Sequence, residues 1–244
     1  MRPCRPTVAG MALATRAVPR PSTLATLWRS TIGKKTVMAV TGVVMLLFLV
    51  AHMLGNLKIF FGAGDYNAYA GWLRTIGEPA LHHGWFLWIM RVGLVASVVG
   101  HVVSAWQLSR RDLAARPTPY VHRRPGAGYA TRTMRWGGII LALFVVWHIL
   151  DLTTLTVNPR AEPGHPYENV VADFRNWYAN VVYLVAMLAL GLHIRHGFRS
   201  AAQTLGAVTR RGDRAFRIAG NALALVLTAG FVAVPVSVMT GVLN

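Results

Sequence analysis

Long apolar runs separated by short polar and basic stretches form the dominant pattern along this chain. Five such runs lie at about residues 36–57, 86–109, 136–157, 176–194 and 218–240. Crossing the ~30 Å hydrocarbon layer of a bilayer takes a helix of roughly 20 mostly apolar residues, and each run is close to that length. Lipid satisfies no backbone hydrogen bond, so each run is predicted to be a membrane-spanning helix. The chain shows no alternating strand pattern, so the predicted fold class is an all-α integral membrane protein.

The composition agrees with a location in a bilayer. Of the 244 residues, 54% are hydrophobic and only 14% are charged, and the mean hydropathy of +0.43 is too high for an ordinary soluble domain. Residues 1–30 are rich in Arg, Pro and Thr and contain no acid, so we expect a disordered cytoplasmic tail before a membrane domain at 31–244. The single cysteine, Cys4, excludes an intrachain disulfide and a two-cysteine haem attachment.

The net charge of +17 is concentrated between particular spans. Seven basic residues precede the first span, seven lie between the second and third, and six lie between the fourth and fifth. The remaining basic residues are Lys58, Arg74, Arg91, Arg160 and Arg175. The positive-inside rule therefore places the N-terminus and both basic loops in the cytoplasm and the C-terminus outside. This basic side is either solvated against anionic lipid or a docking surface for a soluble partner.

Four histidines lie inside the predicted spans, one in each of the first four: His52, His101, His148 and His193. Ionisable groups are costly in hydrocarbon, so intramembrane histidines indicate a function more often when several occur together. Each lies late in its helix, and successive helices reverse direction, so the rise per residue sorts them into an outer and an inner layer. Helices one and three, and helices two and four, are diagonal neighbours in an up-down bundle of four. Each layer therefore holds two facing histidines.

Two opposed imidazoles match the axial ligand set of a six-coordinate haem, which makes two stacked b-type haems the favoured interpretation. Zinc is the alternative, but it prefers three or four ligands close together. Four glycines near the histidines leave room for a flat porphyrin or serve close helix packing: Gly42, Gly100, Gly138 and Gly191. One turn after His193, His196 is interpreted as a neighbour of a haem propionate or as a surface residue. The other histidines, His82, His83, His122 and His165, lie in predicted loops and are interpreted as solvated.

Local sequence around the four histidines carries a family resemblance. The segments are "AHMLGNLKIFFG" at His52, "GHVVSAWQLSRRDLAARPTPY" from His101, "FVVWHILDLT" at His148 and "LHIRHGFRSAAQTLG" ending the fourth span. Together, over roughly residues 28–244, they resemble the cytochrome b membrane anchor of the succinate dehydrogenase and fumarate reductase (complex II) family, in its single-chain, five-helix, dihaem form.

The resemblance implies a relay of electrons from succinate. A cytoplasmic flavoprotein would oxidise succinate, an iron–sulfur subunit would pass the electrons on, and two b haems would carry them to quinone, typically menaquinone. His101 and His193 would hold the inner haem and His52 and His148 the outer haem. The resemblance also implies a bacterial cytoplasmic membrane. Some fumarate reductase members carry a proton-conducting glutamate where this chain has Gly191, which argues against that path here.

Candidates for quinone and proton chemistry are few. Asp151 is the sole carboxylate inside a predicted span, and it lies three residues after His148, on a neighbouring part of the same helix face. We hypothesise that it moves protons at the outer haem; the alternative is a hydrogen bond at the helix end. Glu78 and Asp65 in the first outer loop are weaker candidates. Near the first span, Arg29 and Ser30 either border a second quinone pocket, together with Trp28, or anchor the helix at the interface.

Several functions stay open at this point. The histidines alone fit the dihaem anchor of another quinone-linked dehydrogenase equally well, and the same parts would serve fumarate reduction. A transporter or scaffold with incidental histidines is the alternative from another class. Against it, the spans hold a single acid and no pair of interrupted helices.

Overall fold

The computed structural model describes residues 26, 28–115 and 127–244, with side chains from residue 132 onward in the last range. Cys4, His122 and almost all of the predicted tail at 1–30 lie outside the described residues. The described chain contains seven α-helices and no strand. The helices are α1 (Thr31–Leu57), α2 (Ala63–Trp72), α3 (Trp85–Ala114), α4 (Ala127–His148), α5 (Pro166–Phe174), α6 (Trp177–Thr204) and α7 (Asp213–Met239).

Five of these helices are long and apolar enough to cross a bilayer, as the sequence pattern predicts: α1, α3, α4, α6 and α7. A 3-10 turn, Lys58–Phe61, extends α1, and a π-helical turn, Ile149–Thr153, extends α4. The short helices α2 and α5 lie in the two loops opposite the basic ones. The predicted all-α fold with five spans is confirmed.

The observed helices extend beyond most of the apolar runs. Helix α1 begins at Thr31 because the Ser30 hydroxyl accepts a hydrogen bond from the Gly33 N–H, 2.8 Å away, and so caps the helix. Helix α6 continues ten residues past the predicted end at 194, to Thr204. The helices are longer than the apolar runs because backbone hydrogen bonding continues outside the lipid, whereas the apolar composition ends at the lipid boundary. The third span instead ends early, because the π-helical turn stops at Thr153.

Helices α1 and α6 form the centre of the bundle. They pack against each other, α3 packs on α1, and α4 packs on α6. Helix α7 packs against both α6 and α1 from outside this group of four. Glycines allow the close approach of α7, since a Cβ at Gly191 would lie 2.5 Å from the Thr228 hydroxyl oxygen. The first four spans therefore form the expected bundle, and the fifth span buttresses it.

The two short helices close the end of the bundle that lies away from the basic loops. The Asn67 side chain of α2 accepts a hydrogen bond from the Tyr167 N–H (3.0 Å) and donates one to Glu168 (3.1 Å). Helix α5 also packs against α6 and α7. Its apolar face enters a core cluster with Tyr183, Val234 and Val238. This end, called here the capped end, therefore contains tightly packed protein between the helix termini.

Candidate functional site

The structure brings the four intramembrane histidines together as two pairs. His52 of α1 and His148 of α4 lie with ring centroids 5.8 Å apart and ring planes at 83°. His101 of α3 and His193 of α6 lie with centroids 6.2 Å apart and planes at 56°. The first pair, nearer the capped end, is called here the outer pair, and the second the inner pair. All four side chains are half-buried.

Aromatic rings orient the outer pair. The Phe48 ring stacks on His52 with centroids 5.1 Å apart, one helical turn earlier on α1. Phe144 stacks on His148 at 5.6 Å in the same way on α4. Each phenyl ring lies four residues before its histidine, the spacing at which helical side chains meet. The imidazoles are thus held by their own helices and directed toward each other.

Two of the four glycines that the sequence places near the histidines lie beside the inner pair. A Cβ at Gly42 would be 3.4 Å from Cε1 of His101, and a Cβ at Gly138 would be 3.9 Å from Cε1 of His193. The other two face helix partners instead. Gly191 meets Thr228 of α7, and a Cβ at Gly100 would meet the Thr41 methyl group of α1 at 3.5 Å. Helix packing, rather than space at the histidines, therefore explains Gly100 and Gly191.

A backbone carbonyl determines the tautomer of His101. Its Nδ1 lies 3.0 Å from the Met38 carbonyl oxygen and 3.4 Å from the Thr41 hydroxyl. A carbonyl can only accept, so Nδ1 must carry the proton and donate it. The other nitrogen, Nε2, then carries the free lone pair. This is the arrangement in which proteins present a histidine to a metal.

A side-chain network determines the tautomer of His148 in the same way. The Tyr183 hydroxyl of α6 donates to Oδ2 of Asp151, 2.8 Å away. Its oxygen can then accept from Nδ1 of His148, at 3.1 Å. His148 therefore also holds its proton on Nδ1 and leaves Nε2 free. Asp151, three residues after His148, lies fully buried in the π-helical turn that follows α4.

A second buried carboxyl group adjoins this network. Asp173, near the end of α5, is 1% exposed and lies within hydrogen-bonding reach of Asp151. Burial, followed by the nearby Asp151 carboxyl, raises the pKa of Asp173 to about 8. Asp151 and Asp173 are called here the carboxyl pair. Sequence reasoning finds Asp151 but misses Asp173 and Tyr183. A signal for Asp173 does exist, because it follows Val170 by three residues on the apolar face of a short amphipathic helix.

The other acidic candidates lie on the surface. Glu78 is exposed and pairs with Nδ1 of His83 in the same loop, 3.1 Å away. Asp65 is exposed in the first turn of α2. Within the described chain, no hydrogen bond or ion pair joins either residue to a histidine pair.

The residues before α1 serve its beginning. The Ser30 hydroxyl is the N-cap of α1. The Arg29 carbonyl accepts a hydrogen bond from the Arg111 side chain of α3, at 2.8 Å. The buried Lys34 side chain bonds the Trp28 carbonyl and lies over the Trp28 ring at 4.5 Å. These contacts support the anchoring interpretation of Trp28, Arg29 and Ser30.

The remaining histidines differ from one another. Nε2 of His196 is buried and has no hydrogen-bond partner in the described structure, which argues against the interpretation of His196 as a surface residue. His82 packs edge-on against Trp85, and His165 lies 3.9 Å from Glu168. The described residues contain no cluster of three histidine, cysteine, aspartate or glutamate side chains arranged around one metal ion.

The structure is that of a multi-pass helical membrane protein with two pairs of facing histidines at different depths. A comparison with protein families identifies this class of protein more closely. Residues 116–234 match the family described as "Succinate dehydrogenase/Fumarate reductase transmembrane subunit". Over these residues, just under half of the chain, the sequence is similar to that family of membrane subunits, which belong to a multi-subunit enzyme. The resemblance seen in the sequence is confirmed at this level.

The match covers part of the site. His148, Asp151, Asp173, Tyr183 and His193 lie inside the matched range, whereas His52 and His101 precede it. No curated protein and no solved structure matches the chain significantly. The pairing of α1 and α3 histidines with those of α4 and α6 therefore rests on the geometry alone.

Proposed function

We propose that this chain is a dihaem electron-transfer anchor of the complex II type. It would pass electrons from an iron–sulfur subunit through two b haems to quinone, with menaquinone as the expected acceptor. The observation that carries this proposal is the stacking of two histidine pairs along one bundle, with ring centroids 5.8 and 6.2 Å apart.

The geometry suits axial ligation of iron. Two imidazole nitrogens bonded to one iron at about 2 Å each place their ring centroids about 6 Å apart. Both pairs have that spacing. His101 and His148 each hold a proton on Nδ1, so each offers Nε2. Nδ1 of His193 is buried without a partner in the described structure.

Within this proposal, bound haem supplies a one-electron carrier at each depth. The protein's own contribution is to hold both imidazoles of a pair, to fix their tautomers and to surround them with apolar helix faces. Gly42 and Gly138 leave space beside the inner pair. The Met38 carbonyl and the Tyr183 hydroxyl raise the basicity of their histidines by accepting the Nδ1 proton.

The charge distribution supports an orientation in a bacterial cytoplasmic membrane. The basic loops would face the cytoplasm, where a flavoprotein and an iron–sulfur subunit would dock near the inner pair. The capped end would face outward. Succinate itself would bind on a partner subunit, and the direction of the reaction would depend on the partners and on the quinone.

Quinone would react near the outer pair. A groove of about 500 Å³ opens at the capped end between the start of α6 and the end of α7. It is mostly apolar, with Arg175 and Asn180 among its lining residues. Nδ2 of the buried Asn180 donates to the Phe174 carbonyl at 2.7 Å, while its Oδ1 has no partner in the described chain.

Haem content of the purified chain, with reduced-minus-oxidised spectra, tests this proposal. We expect two b haems per chain, with His101→Ala removing the inner haem and His148→Ala removing the outer haem. His82→Ala, in an exposed loop, is the control and should leave both. A chain without haem, or two variants that lose the same haem, would overturn the proposal. Succinate-driven reduction of quinone by the chain with its partner subunits then tests the enzyme.

A further inference from the structure

We propose that Asp151 and Asp173 act as one proton-binding site that holds a single shared proton at neutral pH and is connected through Tyr183 to the outer histidine pair. The connection to haem rests on the proposed function, whereas the shared proton does not.

Burial carries the first step of the argument. Asp151 is 0% exposed and Asp173 is 1% exposed. Oδ1 of Asp151 and Oδ2 of Asp173 are buried and find no hydrogen donor in the described structure. Two adjacent ionised carboxylates would leave these oxygens unsatisfied and the charges uncompensated, which costs several kcal/mol in a nonpolar environment. One proton between the two groups satisfies one oxygen of each and halves the charge.

Among the described residues, no cation forms an ion pair with either carboxyl in place of that proton. The ionisable groups that act on the pair are each other and Tyr183. Helix α7 has no charged residue after Arg217. Arg175 follows α5 but is exposed, and Lys58 lies over the Phe61 and Tyr69 rings. Within the described residues, neither carboxyl makes a salt bridge. The raised pKa of Asp173 has the same physical cause, burial beside another carboxyl.

A continuous chain of hydrogen bonds joins the pair to the bundle interior. Nδ1–H of His148 donates to the Tyr183 oxygen at 3.1 Å, and the Tyr183 hydroxyl donates to Asp151 at 2.8 Å. Beyond His148, the His52 ring lies across the bundle at 5.8 Å. Charge on the carboxyl pair therefore acts on His148 through one tyrosine. The hydroxyl keeps the carboxyl pair separate from the histidine that would bind iron.

This connection links proton binding to electron transfer. With a haem held by the outer pair, an added electron would place negative charge beside His148 and raise the proton affinity of the carboxyl pair, so one proton would enter with one electron. When the electron leaves toward quinone, the proton is released. Two such cycles supply the two electrons and two protons that convert quinone to quinol. By linkage, the potential of the outer haem falls as pH rises, while that of the inner haem stays nearly constant.

Two measurements on the purified haem-loaded chain test the inference. Infrared spectra across pH 6–9, in H2O and D2O, should show at pH 7 a protonated carboxyl band that shifts with deuterium and disappears in Asp173→Asn and in Asp151→Asn. Redox titrations of each haem across the same range should show the pH-dependent outer potential, flattened in Asp173→Asn. Tyr183→Phe should keep the infrared band but reduce the pH dependence, because it breaks only the connection.

The control is Glu162→Gln, which neutralises an exposed carboxyl in the α4–α5 loop, near the capped end. It should change neither readout. If the native chain has no such band at pH 7, the shared proton is refuted whether or not haem is bound. If the band is present but the outer potential does not depend on pH, the connection to the histidines is refuted. A chain without haem would overturn the proposed function and the connection, while the infrared band still decides the shared proton.

Discussion

Each side chain of the site has a particular hydrogen-bond partner or neighbour that explains its position. The Met38 carbonyl fixes His101, and the Tyr183 hydroxyl fixes His148. Two glycines that each lie within ten residues of a histidine in the sequence have different roles, because Gly42 borders His101 whereas Gly191 packs against Thr228 of α7. Sequence position predicts that glycines lie near the histidines. The two roles are distinguished only by the direction in which a Cβ added at each glycine would point, which the tertiary structure determines.

Substitution of Gly42 tests its role at the inner pair. A leucine there would occupy the space 3.4 Å from the His101 ring, so we expect most of the inner haem to be lost and the outer haem to remain. Haem content and low-temperature spectra measure both. Gly93→Leu on α3 is the matched control, because a Cβ at Gly93 meets no atom within 4 Å. Full retention of both haems in Gly42→Leu would contradict this assignment.

At the scale of helices, the helix ends position the residues of the site more than the apolar middles do. Capping by Ser30 starts α1 before the apolar run, and a π-helical turn ends the third span. The π-helical turn has a consequence for the site, since it carries Asp151 into the buried interior beside α5 and α6. Apolar runs predict that helices cross the membrane. They do not determine where α-helical hydrogen bonding changes to the π-helical pattern.

Ser30→Ala distinguishes a capping role from a quinone role. Loss of the hydroxyl that accepts from the Gly33 N–H should destabilise the chain by about 1 kcal/mol. Haem content and quinone turnover should remain unchanged. Thermal unfolding followed by tryptophan fluorescence measures the first effect, and Ser30→Asp, which restores an acceptor, should recover the stability. A large loss of turnover in Ser30→Ala at native stability would instead support a quinone pocket at this end.

At the scale of the whole molecule, charge and burial give the two ends different properties. The basic loops flank the helix ends near the inner pair, and Asp213 at the start of α7 pairs with Arg199 and Arg217 there. The capped end instead carries two short helices and a buried carboxyl pair. Under the proposed function, the two ends would serve different partners, a soluble subunit at one and protons with quinone at the other.

Cysteine labelling tests the orientation. In a Cys4→Ser background, a cysteine introduced at Ala207, exposed in the α6–α7 loop, should react with a membrane-impermeant thiol reagent only after the cells are opened. A cysteine at Glu162, exposed on the other side, should react in intact cells. The reverse pattern would contradict the orientation that the basic loops predict.

The pH dependence of stability follows from Asp173. Its pKa is about 8 in the folded chain against 3.8 as the ordinary value, so the folded state binds more protons between these two values. Stability is therefore complete below the unfolded pKa and is lost as pH rises through about 8. We expect the melting temperature to fall from pH 6 to pH 9, and to fall less in Asp173→Asn. A slope that Asp173→Asn leaves unchanged would show that another group is responsible.

By itself, the sequence determined the five spans, the asymmetry of charge and the two depths of the histidines, because all three follow from composition and helical rise along a single segment. The family resemblance also came from local motifs. Only the tertiary structure decided that Asp173 and Tyr183 join Asp151, since they belong to α5, α6 and the turn after α4, which meet only when the bundle packs. Helical periodicity places Asp173 on the apolar face of α5. It does not indicate which residues of distant segments that face meets, so these contacts could not be predicted from the sequence.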